Sequence, residues 1–445
     1  MAEGLIVYYY KILFPALCII KHRCVAHLYG ITLLSLYCSF KAGGKFTIYQ
    51  SIILYRKFSA EYIFTGYGLL QQHVLITDDR GVIADLVKEE DAGDGVEKFT
   101  GMLSPGFINC HCHLELSHMK GLIPKHTGLV DFVFKVVNER HFKEEEILAA
   151  IEDAENEMLQ NGIVAVGDIC NNTLTIPQKS KGRLLYHNFV ESSGFPPAVA
   201  ESRFQRAVGL YDSFTASLPA NSIVPHAPYS VSPEMFAMIN EYPNNSLLTI
   251  HNQETKAENE LFEKGTGDML RMYEKMGIDI SFFKPTGKSS LQTWMPYFTK
   301  EQSVITVHNV ATSKQDIEFK IHPAQGGTKF KIDFCLCPNA NLYISKSLPD
   351  VHMLVRNGCN IVLGTDSLAS NDQLNILEEI KTLQKNFPEL KLTELLQWAT
   401  ANGAKALQMN KTLGSFEKGK QPGLVLIEGV DHLQTRIDTS VKKIL

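Results

Sequence analysis

The chain has 445 residues, of which 44% are hydrophobic and 20% charged, with a formal net charge of −5. These values fit a globular protein of two or three domains, or one large barrel with a small companion. The mildly acidic balance, without a long basic run, argues against a nucleic-acid partner.

At the amino end, residues 1–56 depart from this average. Apolar stretches cover Leu5–Tyr10, Ile12–Ile20 and Leu28–Phe40, broken by Lys11, Pro15 and Lys21-His22-Arg23. A spanning helix needs about 20 mostly apolar residues, and none of these stretches reaches that cleanly. A signal peptide wants a basic start and a small-residue cleavage site, yet Glu3 comes before any base. The segment reads as an atypical apolar extension. An anchor, a cleaved leader and an extension from a misplaced start are its three readings, and no membrane partner is expected. The nine cysteines are scattered without a CxxC pair, which fits reduced thiols in a cytoplasmic protein.

From about Phe58 the pattern becomes regular. Ala60–Phe64, His73–Thr77 and Gly81–Val87 read as short strands, with Asp78-Asp79-Arg80-Gly81 as a hairpin turn. After Pro105, apolar strands alternate with amphipathic helices such as Glu144–Gln160 and Pro233–Asn240. The strand candidates are Phe107–His113, Ile163–Ile169, Leu184–Val190, Ser222–Pro225, Leu247–His251, Ser303–Val307, Phe334–Cys337 and Asn360–Gly364. Eight is the count of a closed α/β barrel of the (β/α)₈ type. Residues 105–408 are assigned to it. Residues 256–300 form a long insert after the fifth strand, read as a lid over the C-terminal face. The turn-rich Gly414–Lys420 and the strand Leu424–Glu428 return the chain to the β unit. Residues 57–104 and 409–445 would together build a small β-sandwich domain from both ends of the chain.

The chemistry is concentrated at predicted strand ends. Residues i and i+2 of a strand share a face, so His111 and His113 project together while Cys110 and Cys112 point to the surrounding helices. Reactive residues of such barrels sit at the C-terminal ends of the strands. Strand one ends at His111 and His113, strand five at His251 with Glu254 beyond it, strand six at His308 and strand eight at Asp366. Four histidines and an aspartate on one rim predict a metal site. Other features are discounted. Cys335-Leu336-Cys337 reads as buried thiols, and no P-C-x-x-C zinc signature is present. Gly287-Lys288-Ser289 resembles the end of a phosphate loop, but Phe282 stands where that motif needs glycine.

Taken together, Pro105-Gly106-Phe107-Ile108-Asn109-x-His111-x-His113, His251-x-x-Glu254, His308 and Gly364-Thr365-Asp366-Ser367 resemble the amidohydrolase superfamily, in its single-metal, cytosine-deaminase-like branch. The likeness spans roughly residues 58–430. Pro422-Gly423 replaces the Ala-Asp pair usual before Leu424-Val425, and the strand-four segment Ile223–His226 lacks the lysine of the two-metal branch. The resemblance implies that His111, His113, His251 and Asp366 hold one divalent ion, zinc first and iron(II) second. Glu254, His308 and Asp366 are then the catalytic residues. Pro225-His226-Ala227-Pro228-Tyr229 resembles a segment of S-adenosylhomocysteine and methylthioadenosine deaminases, and His113-Leu114-Glu115 resembles aminofutalosine deaminases. His226 and Glu115 are accordingly expected to meet the substrate, a small heteroaromatic amine. The implied activity is hydrolytic deamination of an adenine-type nucleoside with release of ammonia. Guanine or cytosine deamination and triazine hydrolysis are the alternatives, and a homo-oligomer is left open.

Overall fold

The structure is a computed structural model that describes residues 34–40, 46–52, 54–321 and 331–445. Most of the apolar extension expected over residues 1–56 lies outside the described residues. Strands β1 (Leu34–Phe40) and β2 (Phe46–Ile52) of that segment pair antiparallel with each other. Among the described residues no helix is long and apolar enough to cross a membrane.

Strands β3 (Tyr55–Phe64), β4 (Leu69–Leu70), β5 (His73–Asp78), β6 (Ile83–Lys88) and β7 (Val96–Ser104) come next in the chain. They join the late strands β16 (Val425–Glu428) and β17 (Ser440–Lys443) in one hydrogen-bonded sheet, in the order β17-β16-β7-β3-β5-β6 with β4 beside β3. Edge strand β6 is tied to the loop that leads into β16: Ile83 N donates to Lys420 O at 2.8 Å and Gly419 N to Ile83 O at 2.9 Å. The buried core of this unit includes Phe58, Ile63, Leu75, Leu103, Phe416 and Leu426, supplied by both ends of the chain.

Between the two halves of that sheet the chain forms eight parallel strands: β8 (Phe107–Cys112), β9 (Ile163–Cys170), β10 (Leu185–Ser192), β11 (Asn221–Pro225), β12 (Leu247–Asn252), β13 (Ser303–His308), β14 (Lys331–Leu336) and β15 (Asn360–Leu363). They pair in sequence order as β8 to β11 and β12 to β15. His251 N donating to His226 O at 2.9 Å joins the two runs on one side. On the other, Thr365 N and Asp366 N both reach His111 O at 3.0 Å. The ring is thereby closed into a (β/α)₈ barrel. Its strands read as continuous apolar runs because both faces are covered.

The helices follow the same logic. Helix Glu144–Gln160 buries Ile147, Ile151, Ala154 and Met158 on one stripe, and Glu144, Glu145 and Glu146 in its first turn suit the positive end of the helix dipole. Cys110 packs outward, its Sγ 3.2 Å from where a Cβ on Gly403 would lie. Cys110, Cys112, Cys170, Cys335 and Cys337 are all buried. Burial also pushes the thiols of Cys110, Cys112, Cys170 and Cys337 up. Native protein treated with a maleimide and mapped by mass spectrometry is therefore expected to leave these five cysteines unlabelled until denaturant is added. Early labelling of Cys110 or Cys112 would contradict their packing role.

Candidate active site

The barrel's strand ends converge on a cluster of four donors. His113 Nε2 lies 3.2 Å from both His111 Nε2 and His251 Nε2. Asp366 Oδ1 is 3.3 Å from the Nε2 atoms of His111 and His113. One N–H on His113 cannot serve two ring nitrogens at once, so hydrogen bonding alone does not account for the cluster. Donors held about 2.0–2.1 Å from a tetrahedral ion stand roughly 3.3–3.4 Å apart, which is the spacing found. The donors fit a divalent ion of the N/O-binding kind.

Surrounding groups fix these donors. His251 Nδ1 is 2.9 Å from the His226 carbonyl, so it carries a proton and Nε2 keeps its lone pair. Ser370 Oγ donates to Asp366 Oδ2 at 2.5 Å, leaving Oδ1 for the cluster. Asn109 clamps strand one to strand eight through Thr365, with bonds of 2.8 and 3.0 Å. Gly364 is required here, since a Cβ would come within 2.8 Å of His111 Cβ and 2.9 Å of Cys335 Sγ. Two of the site residues, His308 (φ 74°) and Asp366 (φ 59°), hold left-handed backbone, a conformation costing about 1–3 kcal/mol each that clusters at functional sites.

Glu254, just beyond β12, and His308, at the end of β13, face the cluster, with Glu254 Oε1 3.7 Å from His308 Nε2. Asn341 Nδ2 is 3.0 Å from His308 Nδ1. An amide donor there makes Nδ1 the acceptor and places the ring proton on Nε2, toward the site. Burial, then the charges of Asp366 and Glu258, raise the Glu254 carboxyl well above its ordinary range. Glu258 in turn accepts from Gln253 N at 2.9 Å, holding the kink that precedes Glu254.

A cavity of about 760 Å³ opens above, reaching His113, His251, Glu254, His308 and Asp366, while His111 lies beneath its floor. His226 and Glu115 also line it. His226 Nδ1 is 2.6 Å from Ser230 Oγ. Glu115 is buried, with Oε2 accepting from Asn171 N (2.8 Å) and Asn172 N (3.2 Å) and Oε1 without a partner. Burial lifts its carboxyl to about 7, against the opposing pull of the Asn171 amide. Glu191 stands beside it, tied to Asn171 Nδ2 at 2.9 Å.

The outer wall is apolar. Leu129, Phe132 and Val136 come from helix Leu129–Glu139, and Met272, Tyr273 and Met276 from helix Met269–Met276 of the 256–300 insert. Asp131 ties the two helices together, 2.9 Å from Arg271 and 2.5 Å from Lys275. Ser289 of the phosphate-loop look-alike instead caps a short helix, accepting from Gln292 N at 3.2 Å. Ser370 and Lys179 carry no motif that marks them in the sequence. Asn341 is one position in the stretch after the seventh strand, and Asp168 is one position within the second strand, Ile163–Ile169, so neither side-chain role is marked in the sequence.

The amidohydrolase family pattern matches residues 102–444. The chain belongs to the amidohydrolase family. A Helicobacter pylori protein named adenosine deaminase is 28% identical over 333 residues, covering 73% of this chain and 78% of that protein. A 5-methylthioadenosine/S-adenosylhomocysteine deaminase from Thermoanaerobacter pseudethanolicus is 25% identical over 371 residues, 78% of this chain and 77% of its own. The crystal structure of Helicobacter pylori aminofutalosine deaminase in complex with methylthio-coformycin shares the fold, with a TM-score of 0.68 at 21% identity over 84% of this chain and 92% of its own.

This amidohydrolase carries a second convergent group, Glu191, His226 and His251. It shares His251 with the first cluster, and the proton on His251 Nδ1 is already engaged by the His226 carbonyl. That arrangement favours one ion per chain.

Proposed function

We propose that this amidohydrolase is a single-metal aminohydrolase that replaces the exocyclic amine of an adenine-type nucleoside by oxygen and releases ammonia. The observation that carries the reading is the placement of Glu254 and His308 beside the three-histidine, one-aspartate cluster at the floor of one cavity. His111, His113, His251 and Asp366 would hold the ion, which we assign as zinc, and a bound divalent ion lowers the pKa of water toward about 7. Glu254 takes a proton from the attacking water and returns it to the ring nitrogen beside the reacting carbon. His308 donates from Nε2 to the oxygen that becomes negative as the carbon turns tetrahedral. Asp366 Oδ1 takes the second proton from the new hydroxyl on the tetrahedral carbon and passes it to the departing amine, so that the carbon–nitrogen bond breaks, a carbonyl forms and ammonia leaves.

The nucleoside assignment draws on the names of the relatives and on cavity size. A purine ring alone would leave most of 760 Å³ unfilled, and the apolar wall from the two outer helices suits an extended group. His226 and Glu115 would face the substrate. The scattered, buried thiols fit work in the reducing cytoplasm. The test is ammonia release from adenosine, S-adenosylhomocysteine, methylthioadenosine, aminofutalosine, guanine, cytosine and amino-triazines. An adenine nucleoside is expected to show the highest kcat/KM. Faster turnover of guanine or a triazine would overturn the substrate assignment, and no ammonia from any of them would overturn the reaction class.

A further inference from the structure

Lys179 is a fully buried lysine for which the proposed reaction has no use. Its ammonium pairs with Asp168 Oδ2 at 2.5 Å, with both side chains 0% exposed. It also donates to Asn188 Oδ1 at 2.8 Å and lies 3.3 Å from Cys170 Sγ. Tyr186 and Phe214 flank it, with their rings 5.1 and 5.2 Å away. All three N–H directions are therefore engaged. Replacing such a buried ion pair by apolar side chains is often neutral or stabilising, so stability alone is a weak reason for it.

The other end of the pair points to a reason. Asp168 Oδ1 accepts from the backbone N–H of Leu114 at 2.8 Å. Strand β8 ends at Cys112, its ladder with β9 slips between Asn109 and Cys112, and the chain swings from His113 (φ −121°, ψ 76°) into a 3₁₀ turn. Leu114 N–H thus has no strand partner, and Asp168 supplies one. Its peptide follows directly on His113, and Glu115 is one residue further. A charge-assisted bond to a carboxylate is about twice as strong as a neutral one, and the Lys179 ammonium supplies the opposite charge that a carboxylate in a dry site needs.

We infer that Asp168, held by Lys179, is a positioning residue that fixes the His113–Leu114 peptide and so aims the His113 ring into the metal cluster. The inference rests on the metal reading of His111, His113, His251 and Asp366. Partners that orient metal ligands typically change metal affinity 10–100-fold when lost.

The test compares two charge-neutral double variants of the full chain. D168N/K179M keeps a carbonyl oxygen for Leu114 N–H, whereas D168L/K179M keeps the volume and loses the acceptor. Zinc affinity is measured by competition with a chromophoric chelator, together with the visible spectrum of the cobalt-substituted protein. D168L/K179M is expected to bind zinc about 10–100-fold more weakly than the parent and to show an altered cobalt spectrum. D168N/K179M, whose neutral carbonyl makes the weaker bond, is expected to fall only a few-fold below the parent's affinity and to keep its spectrum. Equal zinc affinity in the two variants overturns the inference. Should the leucine variant fail to fold, D168S/K179M, whose side chain is too short to reach Leu114, carries the same comparison with the same two outcomes. A parent chain that binds no zinc would instead overturn the metal reading, which separates the two failures.

Discussion

Glu254→Gln is expected to lower kcat by about 10²–10⁴-fold while leaving the metal content and the substrate KM near those of the parent. The amide has the volume of the carboxyl and can still hydrogen-bond, but it cannot take a proton from water and return it to a ring nitrogen. The expected loss corresponds to about 2.7–5.4 kcal/mol of transition-state stabilisation. The geometry isolates this effect from the metal. Glu254 is not among the four converging donors, and its Oε1 lies 3.7 Å from His308 Nε2. Raised by burial and by the negative charges of Asp366 and Glu258, its carboxyl is suited to hold the proton between the two transfers. Fold loss is not expected, because a neutral amide is easier to bury than a carboxylate. Near-normal turnover with full metal content would remove Glu254 from the proposed role.

The donors were legible in the sequence because of where barrels place chemistry. His251 and Asp366 close Val/Ile/Leu-rich strands, and His111 and His113 close the run that opens with Phe107-Ile108, so each follows a buried strand that announces itself. Strand β14 shows the limit of that signal. It begins at Lys331, ahead of the expected Phe334, because Lys331 and Asp333 break the apolar run. In the fold these two pair at 2.7 Å, and Asn360 of the neighbouring strand completes Asp333. Strand β7 escaped for a similar reason, since the exposed Glu97, Lys98 and Thr100 interrupt both faces of its first half. The short polar edge strand β17 gave no alternation to read.

The supporting shell was illegible for a different reason. Asn109 and Thr365, which clamp the first strand to the last, are separated by 256 residues. Asp168, Lys179, Ser370 and Asn341 are ordinary polar residues in the sequence. Only the closed ring of strands brings Ser370 against Asp366, Asn341 against His308, and Asp168, paired with Lys179, against the Leu114 amide. Residue type marks the groups that do chemistry, whereas the groups that aim them are defined by contacts the sequence does not encode locally.

Removing the ion is expected to abolish turnover and to lower the melting temperature, with both restored by about one zinc per chain. The folded state alone gathers three ring nitrogens and one carboxylate oxygen within 3.2–3.3 Å contacts, so the ion binds that state and not the unfolded chain. The gain is about 2.7 kcal/mol at a free ion concentration of 100 Kd and about 4.1 at 1,000 Kd. The sign of the pH dependence follows from the histidines. Burial holds His113 below its ordinary range and His251 well below it, so in the fold both stay neutral where the unfolded chain would protonate them. A depressed folded-state value contributes stability above the unfolded pKa of about 6.5, and that contribution is lost as pH falls below it. Protonation also competes with the ion for the same nitrogens, so the zinc-dependent shift in melting should be largest above about pH 7 and shrink toward pH 5. Metal analysis with melting curves at both pH values checks this. Two ions per chain, or a metal-free protein that melts with the loaded one, would sink the single-metal site. The pH trend adds a separate check, because an ion held by exposed carboxylates elsewhere would keep its stabilising effect down to pH 5, where those groups remain largely ionised.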